Sequence, residues 1–412
     1  MNVLVMGSGG REHALALKIK NSQLVDKLYV MPGNPGTSFF ACNVDINPMN
    51  NEEVVKFCLE RLIGVVIPGS EIFLANGISD ELDKVGIYCF GPNKKAANLE
   101  SSKVFAKELM RKYDIPTAKY EVFEDYSLAV NYIETREFPI VIKYDGLASG
   151  KGVVVAKTYN EALEALKSMF ITHKFGFAKV VIEEYLEGPE FSFLCFVDNN
   201  RVIPMPICQD HKRLLDKDEG PNTGGMGIYS PVNIIPQEDI VWAYDNIMKK
   251  VVESLKQEGI NYKGFLYGGL ILTKKGPYVI EFNVRLGDPE AEVLMPKLDS
   301  DLMEIILKLR NGEVPNVVWS QDFFLAVVMA SVGYPISSTK GKVINGIDKI
   351  EQVYHMGTAI IDNKIVTNGG RVLCVYGKGL NIEEARADAY NLVEKIECDS
   401  LIYRRDIGCQ SL

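Results

Sequence analysis

The sequence predicts an α/β protein built from several domains, with an α+β section in the middle. Three observations predict it. The chain has 412 residues, 47% of them hydrophobic and 24% charged. That is ordinary globular composition, but too much chain for one compact core, so roughly two to four domains are expected. The N-terminal part alternates short apolar runs with helical patterns, the rhythm of a parallel sheet wrapped by helices. The middle part instead strings strands together through glycine-bearing turns.

In chain order, residues 3–6, 28–31, 64–68 and 88–90 are the expected N-terminal strands, with helices over 11–21, 52–62 and 72–85. This Rossmann-like unit covers 1–100. A helix capped by Ser101 or Ser102 follows, and Ile115-Pro116-Thr117 reads as a hinge, because the residue before proline is pushed out of the helical region. Residues 118–188 read strand, helix, strand, glycine loop, strand, helix, strand, a small lid whose clearest strands are 139–143, 153–156 and 180–184. The core, 101–117 and 189–322, carries strands at 191–197, 202–207, 265–273 and 278–283, and long helices at 237–259 and 301–310. A smaller C-terminal α/β domain, 323–412, holds a strand at 371–375 and a helix at 382–396.

Charge narrows the function classes. The formal net charge is −9, so no global positive field would gather a nucleic acid. Eight cysteines lie scattered without CxxC pairs or zinc spacing, which argues against a metal knuckle or a disulfide framework. The N-terminus runs straight into an apolar strand, and no apolar stretch approaches the ~20 residues of a membrane span. A cytoplasmic protein with no membrane or nucleic-acid partner is expected.

Three segments carry chemistry. In Ile140-Val-Ile-Lys143-Tyr-Asp145-Gly146-Leu-Ala-Ser149-Gly150-Lys151-Gly152, a lysine closes one strand and a glycine-rich turn opens the next. Glycines leave backbone N–H groups open to phosphate oxygens, and Lys143 and Lys151 supply point charges. It is not a Walker P-loop, since Gly146 and Gly150 have three residues between them and a strand follows. Taken alone, an ordinary glycine hairpin fits equally well. In Glu183-Glu184-Tyr185-Leu186-Glu187-Gly188-Pro189-Glu190, a strand ends in acids that suit an adenine edge, with Glu190 placed for ribose hydroxyls. In Glu281-Phe282-Asn283-Val284-Arg285-Leu286-Gly287-Asp288, Glu281 and Asn283 are two apart on a strand and share a face. Paired oxygens suit a hard divalent ion that keeps its waters, and Arg285 is placed to neutralise a phosphoryl group in transfer.

Two further segments are ambiguous. Gly7-Ser-Gly9-Gly10-Arg11-Glu12-His13 follows a strand, but Glu12 stands where a dinucleotide fingerprint needs its third glycine, which disfavours NAD. A glycine turn into a helix N-terminus suits a small phosphate instead, with His13 either packing or functional. Gly220-Pro-Asn-Thr223-Gly224-Gly-Met-Gly227 has four glycines in eight residues; it is either a surface linker or a cover that orders on substrate, the second being favoured. Asp210, Lys212 and Arg213 just before it could orient an amino acid and an amine.

Together, lysine before a glycine hairpin, Glu-Glu-Tyr-Leu-x-Gly-x-Glu and Glu-Phe-Asn-x-Arg resemble the nucleotide signatures of the ATP-grasp superfamily. Gly7 to Ala14, Gln209 to Arg213, Gly220 to Pro231 and Thr367 to Leu373 are similar, almost letter for letter, to the phosphoribosylamine–glycine ligase family within it. The resemblance spans the whole chain. It implies an ATP-grasp fold with a mobile lid and a cytosolic ligase of purine synthesis. Glycine would be activated by ATP as glycyl phosphate and captured by 5-phosphoribosylamine, giving glycinamide ribonucleotide, ADP and phosphate. It further implies ATP held by Lys103, Lys143, Gly146, Ser149, Gly150, Lys151, Gly152, Glu183, Glu184, Leu186 and Glu190. Magnesium or manganese would sit on Glu281 and Asn283. Substrates would be held by Gly9, Gly10, Arg11, Glu71, Asp210, Lys212, Thr223, Gly224, Arg285, Gly287 and Asp288, with Arg285, Lys143 and Asp210 catalytic. Small molecules are the expected partners, and a monomer the expected state. Two departures stand out. Gly69-Ser70-Glu71-Ile72-Phe73-Leu74 keeps the family's acid but neither of its prolines, which puts the loop's rigidity in doubt, and a third metal-side acid of many ATP-grasp ligases would fall near Gly269.

Overall fold

A computed structural model describes residues 1–148 and 152–411. The N-terminal sheet is wholly parallel, in the order Cys42–Asn43, Lys27–Pro32, Asn2–Gly7, Ile63–Pro68, Tyr88–Cys89. Val3, Leu4, Val5 and Met6 are fully buried, because helices cover both faces. The helix expected over 72–85 is two helices, Glu71–Ala75 and Ile78–Lys84. The break falls at Gly77, whose φ of +86° is left-handed and cannot continue a helix.

Ser102 caps the helix Lys103–Lys112, its hydroxyl accepting from Phe105 N. The lid is a four-stranded antiparallel sheet in the order Tyr120–Phe123, Val180–Glu184, Ile140–Tyr144, Val153–Ala156. Helices Tyr126–Ile133 and Tyr159–Phe170, capped by Asp125 and Thr158, cover it. Its apolar cluster, including Ile133, Ile142, Leu166 and Ile182, is separate from those of the rest of the chain. The lid therefore has a small core of its own.

The core sheet is antiparallel, in the order Arg201–Pro204, Glu190–Asp198, Gly264–Thr273, Gly276–Asn283. Its register slips between Gly269 and Leu270, so Gly269 pairs with Glu281 while Leu270 pairs with Val279. The helix expected over 237–259 contains a wide turn at Tyr244–Met248 between Gln237–Ala243 and Lys249–Gln257. A six-stranded sheet closes the molecule, running Gln209–Asp210, Gly227–Ser230, Phe323–Ser331, Arg371–Gly379, Val353–His355, with Leu401–Ile402 beside Phe323–Ser331. Two of its strands thus come from the section expected to be core. One apolar cluster joins Val3, Val5 and Leu15 to Phe265, Leu294 and Val328, so N-terminal, central and C-terminal parts share buried contacts.

Candidate active site

The strand Gly276–Asn283 brings Glu281 and Asn283 to the cleft between the lid and the core. Burial would push the Glu281 carboxyl up, but Lys212, Lys103, Lys143 and Arg285 outweigh it and hold the pKa below the ordinary range. Asn283, 8% exposed, accepts from Arg285 Nη2 at 3.2 Å. Directly opposite Glu281 in the ladder is Gly269, with no side chain to offer. Among the described residues no group of three or more His, Cys, Asp or Glu is placed to hold a metal ion. An acid and an amide oxygen among four cations still fit a hard ion that arrives with polyphosphate and keeps most of its waters.

Arg285 lies just past that strand and is clamped by two acids. Its Nε donates to Glu71 Oε2 at 3.1 Å and its Nη2 to Glu100 Oε1 at 2.8 Å. The two carboxyls differ sharply. Burial works against Glu71, yet Arg285 and Arg11 bring it down to about 2; burial lifts Glu100 to about 7, with Arg285 only partly opposing. The loop without the family's prolines still delivers Glu71 to Arg285.

On the lid side, Lys143 closes Ile140–Tyr144. Its ammonium lies 2.9 Å from Glu183 Oε1 and donates to Ile280 O at 2.9 Å. Lys103 reaches the carbonyl of Gly146 at 3.5 Å, and Asp145 Oδ1 accepts from both Ser102 Oγ and Val104 N at 3.1 Å. The hairpin base is thereby tied to a core helix. Gly152 O accepts from Tyr144 N at 2.8 Å. Ser149, Gly150 and Lys151 lie outside the described residues. Glu184 is exposed, its Oε1 accepting from Lys119 N at 2.9 Å, and Leu186 is partly exposed beyond it. Gly188 has φ +151°, and a Cβ there would stand 1.9 Å from Leu272 O, so only glycine fits this turn. Glu190 Oε2 accepts from Lys212 Nζ at 3.2 Å.

On the strand Gln209–Asp210, burial and Glu290 lift the Asp210 carboxyl well above its usual range, with Lys212 and Arg371 opposing. Its Oδ1 is buried and has no hydrogen-bond partner among the described residues. Gly225 leaves room for it, since a Cβ there would come within 2.6 Å of that oxygen. Gly287 makes similar room for Glu290, which accepts from Ser192 Oγ at 2.7 Å. The glycine-rich segment has a defined shape. Arg213–Leu215 and Glu219–Asn222 form a hairpin, Thr223 N donates to Lys212 O at 2.8 Å, and Gly224 N donates to Tyr334 Oη at 2.9 Å. Arg371 on the C-terminal sheet donates to Gly224 O at 2.6 Å and pairs with Asp288 at 2.9 Å. Tertiary partners, rather than local propensity, set this loop.

At the N-terminal turn, the cradle expected for a phosphate is already engaged. Glu12 Oε2 accepts from Gly9 N at 2.7 Å and its Oε1 from Arg11 Nε at 2.7 Å. Side chains at Gly7, Gly9 or Gly69 would press on Glu12, so these glycines house its carboxylate. Gly10 likewise makes room for Glu292, fully buried with both oxygens unpartnered among the described residues. His13 is a packing residue of the domain seam, its Nδ1 accepting from His355 N at 3.0 Å. The sequence reading missed Glu100, Lys107, Glu290, Glu292 and Arg371. Lys107 had a signal, being one turn from Lys103 on the same helix face.

The chain matches known proteins along its whole length. Residues 1–100 match the N domain of phosphoribosylglycinamide synthetase, 101–291 its ATP-grasp (A) domain and 324–410 its C domain. The chain is 47% identical to phosphoribosylamine–glycine ligase of Halalkalibacterium halodurans, over 100% of this chain and 97% of that one. It superposes on the crystal structure of phosphoribosylamine–glycine ligase from Thermotoga maritima with a TM-score of 0.88 and 37% identity, covering 99% of this chain and 100% of that one. The biotin carboxylase domain of Hydrogenobacter thermophilus 2-oxoglutarate carboxylase shares the fold at 18% identity, with a TM-score of 0.73 over 97% and 91% of the two chains. With three domain matches in order and 47% identity over its whole length, the chain belongs to the phosphoribosylamine–glycine ligase family of ATP-grasp enzymes.

Proposed function

We propose that this cleft joins glycine to 5-phosphoribosylamine at the expense of ATP, giving glycinamide ribonucleotide, ADP and phosphate, a reaction of purine synthesis. The observation that carries it is a half-buried carboxylate, Glu281, whose pKa is held down by four cations, Lys212, Lys103, Lys143 and Arg285. That balance suits a site receiving a polyanion and a second carboxylate together. Lys103 and Lys143 offset the phosphates, while the hairpin over 146–152 with its Ser149, Gly150 and Lys151 supplies backbone donors and charge. Glu184, Leu186 and Glu190 would line the nucleoside, with Glu183 beneath them, its carboxylate buried between Lys143 and Lys107. Glu281 and Asn283 would hold a divalent ion, magnesium or manganese, whose charge further neutralises the phosphates.

A glycine oxygen attacks the γ-phosphorus and ADP departs, leaving glycyl phosphate. Arg285, fixed by Glu71 and Glu100, offsets charge on the phosphoryl group as it moves. The amine nitrogen then attacks the acyl carbon, phosphate leaves, and the nitrogen gives up a proton. Asp210, whose buried Oδ1 has no hydrogen-bond partner among the described residues, would take that proton in its ionised form, which Lys212 and Arg371 favour. Lys212, Thr223, Gly224, Gly287 and Asp288 would form the wall against which the two substrates meet, with Glu71 at its N-terminal edge and Gly9, Gly10 and Arg11, engaged by Glu12 and Glu292, behind it. Lid closure excludes water, which would otherwise hydrolyse the acyl phosphate. A monomer is the proposed state of assembly. Eight free cysteines suit a reducing compartment such as the cytoplasm.

The experiment is ADP release with ATP, magnesium, glycine and freshly generated phosphoribosylamine, omitting each in turn. Strict dependence on all four is expected. ADP release without glycine would keep the fold and change the substrate, and no ATP consumption would overturn the reading.

A further inference from the structure

Lys107 sits one turn after Lys103 on the helix Lys103–Lys112 and is 2% exposed, and no step above uses it. Its ammonium lies 2.9 Å from Glu183 Oε2 and donates to Thr117 Oγ1 at 2.7 Å. The other Glu183 oxygen faces Lys143 at 2.9 Å, so one buried carboxylate is shared by two buried lysines. The Thr117 hydroxyl donates onward to Val279 O at 2.7 Å, and Lys143 donates to the next carbonyl, Ile280 O, at 2.9 Å. Both lysines are thus anchored on successive carbonyls of the strand that carries Glu281, Lys107 through Thr117 and Lys143 directly. Core helix, hinge, lid and metal-side strand all meet at this carboxylate.

The charge count gives the arrangement a consequence. Glu183 with Lys143 alone would form a closed, neutral buried pair, and the ammonium would lose much of its attraction for phosphate. With Lys107 on the second oxygen, the trio carries one surplus positive charge. Lys107 is enclosed by Glu183, Thr117 and the face of Tyr120, whose ring centroid is 5.6 Å from its Nζ, so it touches no ligand and its main route to one is the Glu183 carboxylate it shares with Lys143. Burial lowers its ammonium to about 8, with Glu183 opposing and Lys143 adding to the fall, a cost that simple packing would not require.

We propose that Lys107 is a positioning residue of the nucleotide site, occupying Glu183 Oε2 so that Lys143 keeps surplus charge for a nucleoside triphosphate as the lid meets the core. This rests on the reading that ATP binds in this cleft.

The test is ATP binding by calorimetry, with magnesium, to the full chain and to Lys107→Met, Glu183→Gln and the double variant, each checked for its folded melting transition. Lys107→Met is expected to weaken ATP binding about tenfold, and to change it less than about twofold when Glu183 is already glutamine. An unchanged affinity in Lys107→Met, or an equal loss in both backgrounds, would overturn the proposal, because a lysine that only ties lid to core would not act through the Glu183 charge. If Lys107→Met does not fold, Lys107→Gln, which keeps a donor for Thr117, takes its place in the same comparison. Failure of the unaltered protein to bind ATP would instead remove the nucleotide reading, and this inference with it.

Discussion

Glu281 keeps its charge in a half-buried site because Lys212, Lys103, Lys143 and Arg285 together outweigh the cost of its partial burial. Removing it should split two properties that usually fall together. Glu281→Ala removes one negative charge from among these four cations, whose other acid partners remain, so ATP binding measured without metal should hold or tighten. The magnesium concentration for half-maximal ADP release should rise about tenfold, since a two-ligand site has lost its one charged donor. A magnesium titration unchanged from that of the unaltered protein would take Glu281 out of the metal site. At this scale the sequence showed Lys143, Glu281, Asn283 and Arg285, because strand periodicity and a glycine turn place them by local rules. Glu100 was hidden, since its contact with Arg285 joins residues 185 apart in sequence. The occupation of Gly9 N–H by Glu12 was hidden too. A glycine turn entering a helix reads as an anion site whether the anion is a ligand or the chain's own side chain.

Among the elements, the base of the lid hairpin is joined to the helix Lys103–Lys112 by the Asp145 carboxylate. Asp145 leaves the end of a lid strand and accepts from Ser102 Oγ and Val104 N, adding a second acceptor at a helix start that Ser102 already caps. Asp145→Ala should cost about 1 kcal/mol of stability, the ordinary worth of a cap. It should also speed hydrogen exchange in Val153–Ala156, which follows the hairpin in a lid with its own small core. Asp145→Asn, which can still accept, should exchange close to the unaltered rate; equal acceleration in both variants would mean that charge rather than capping holds the hairpin. Element type was mostly legible where periodicity was strong, as in the N-terminal strands and the helix Ile382–Val393. Boundaries failed where one residue or a distant partner decides. Gly77 breaks a helix whose apolar spacing runs on through it, and the glycine-rich segment becomes a hairpin and pinned turn only because Tyr334 and Arg371 arrive from more than a hundred residues away.

Across the whole molecule, the N-terminal and C-terminal parts meet at a pair of buried histidines. His13 Nδ1 accepts from His355 N, Asn34 Nδ2 donates to both Ser8 O and His355 O, and His355 Nδ1 lies 2.8 Å from Thr358 Oγ1. Phe40 and Tyr354 close over His13 at 5.5 and 5.4 Å between ring centroids. A proton on His13 Nδ1 would face a backbone N–H, and no carboxylate is among these contacts to receive the charge. Burial, with His355 adding to it, lowers His13 to about 3, and burial lowers His355 to about 4. Both therefore stay neutral in the folded chain while the unfolded chain takes up protons near the ordinary value of 6.5. Between those limits the unfolded state binds more protons, so stability is full above pH 6.5 and falls as the pH is lowered towards the folded values. From pH 7 to pH 5 each histidine should remove about 2 kcal/mol. His13→Asn keeps an acceptor for His355 N but cannot titrate, so its loss of stability over that interval, read by urea unfolding, should be smaller by about 2 kcal/mol. An identical acid loss in both proteins would place the acid sensitivity elsewhere in the chain and leave the seam held by its apolar contacts.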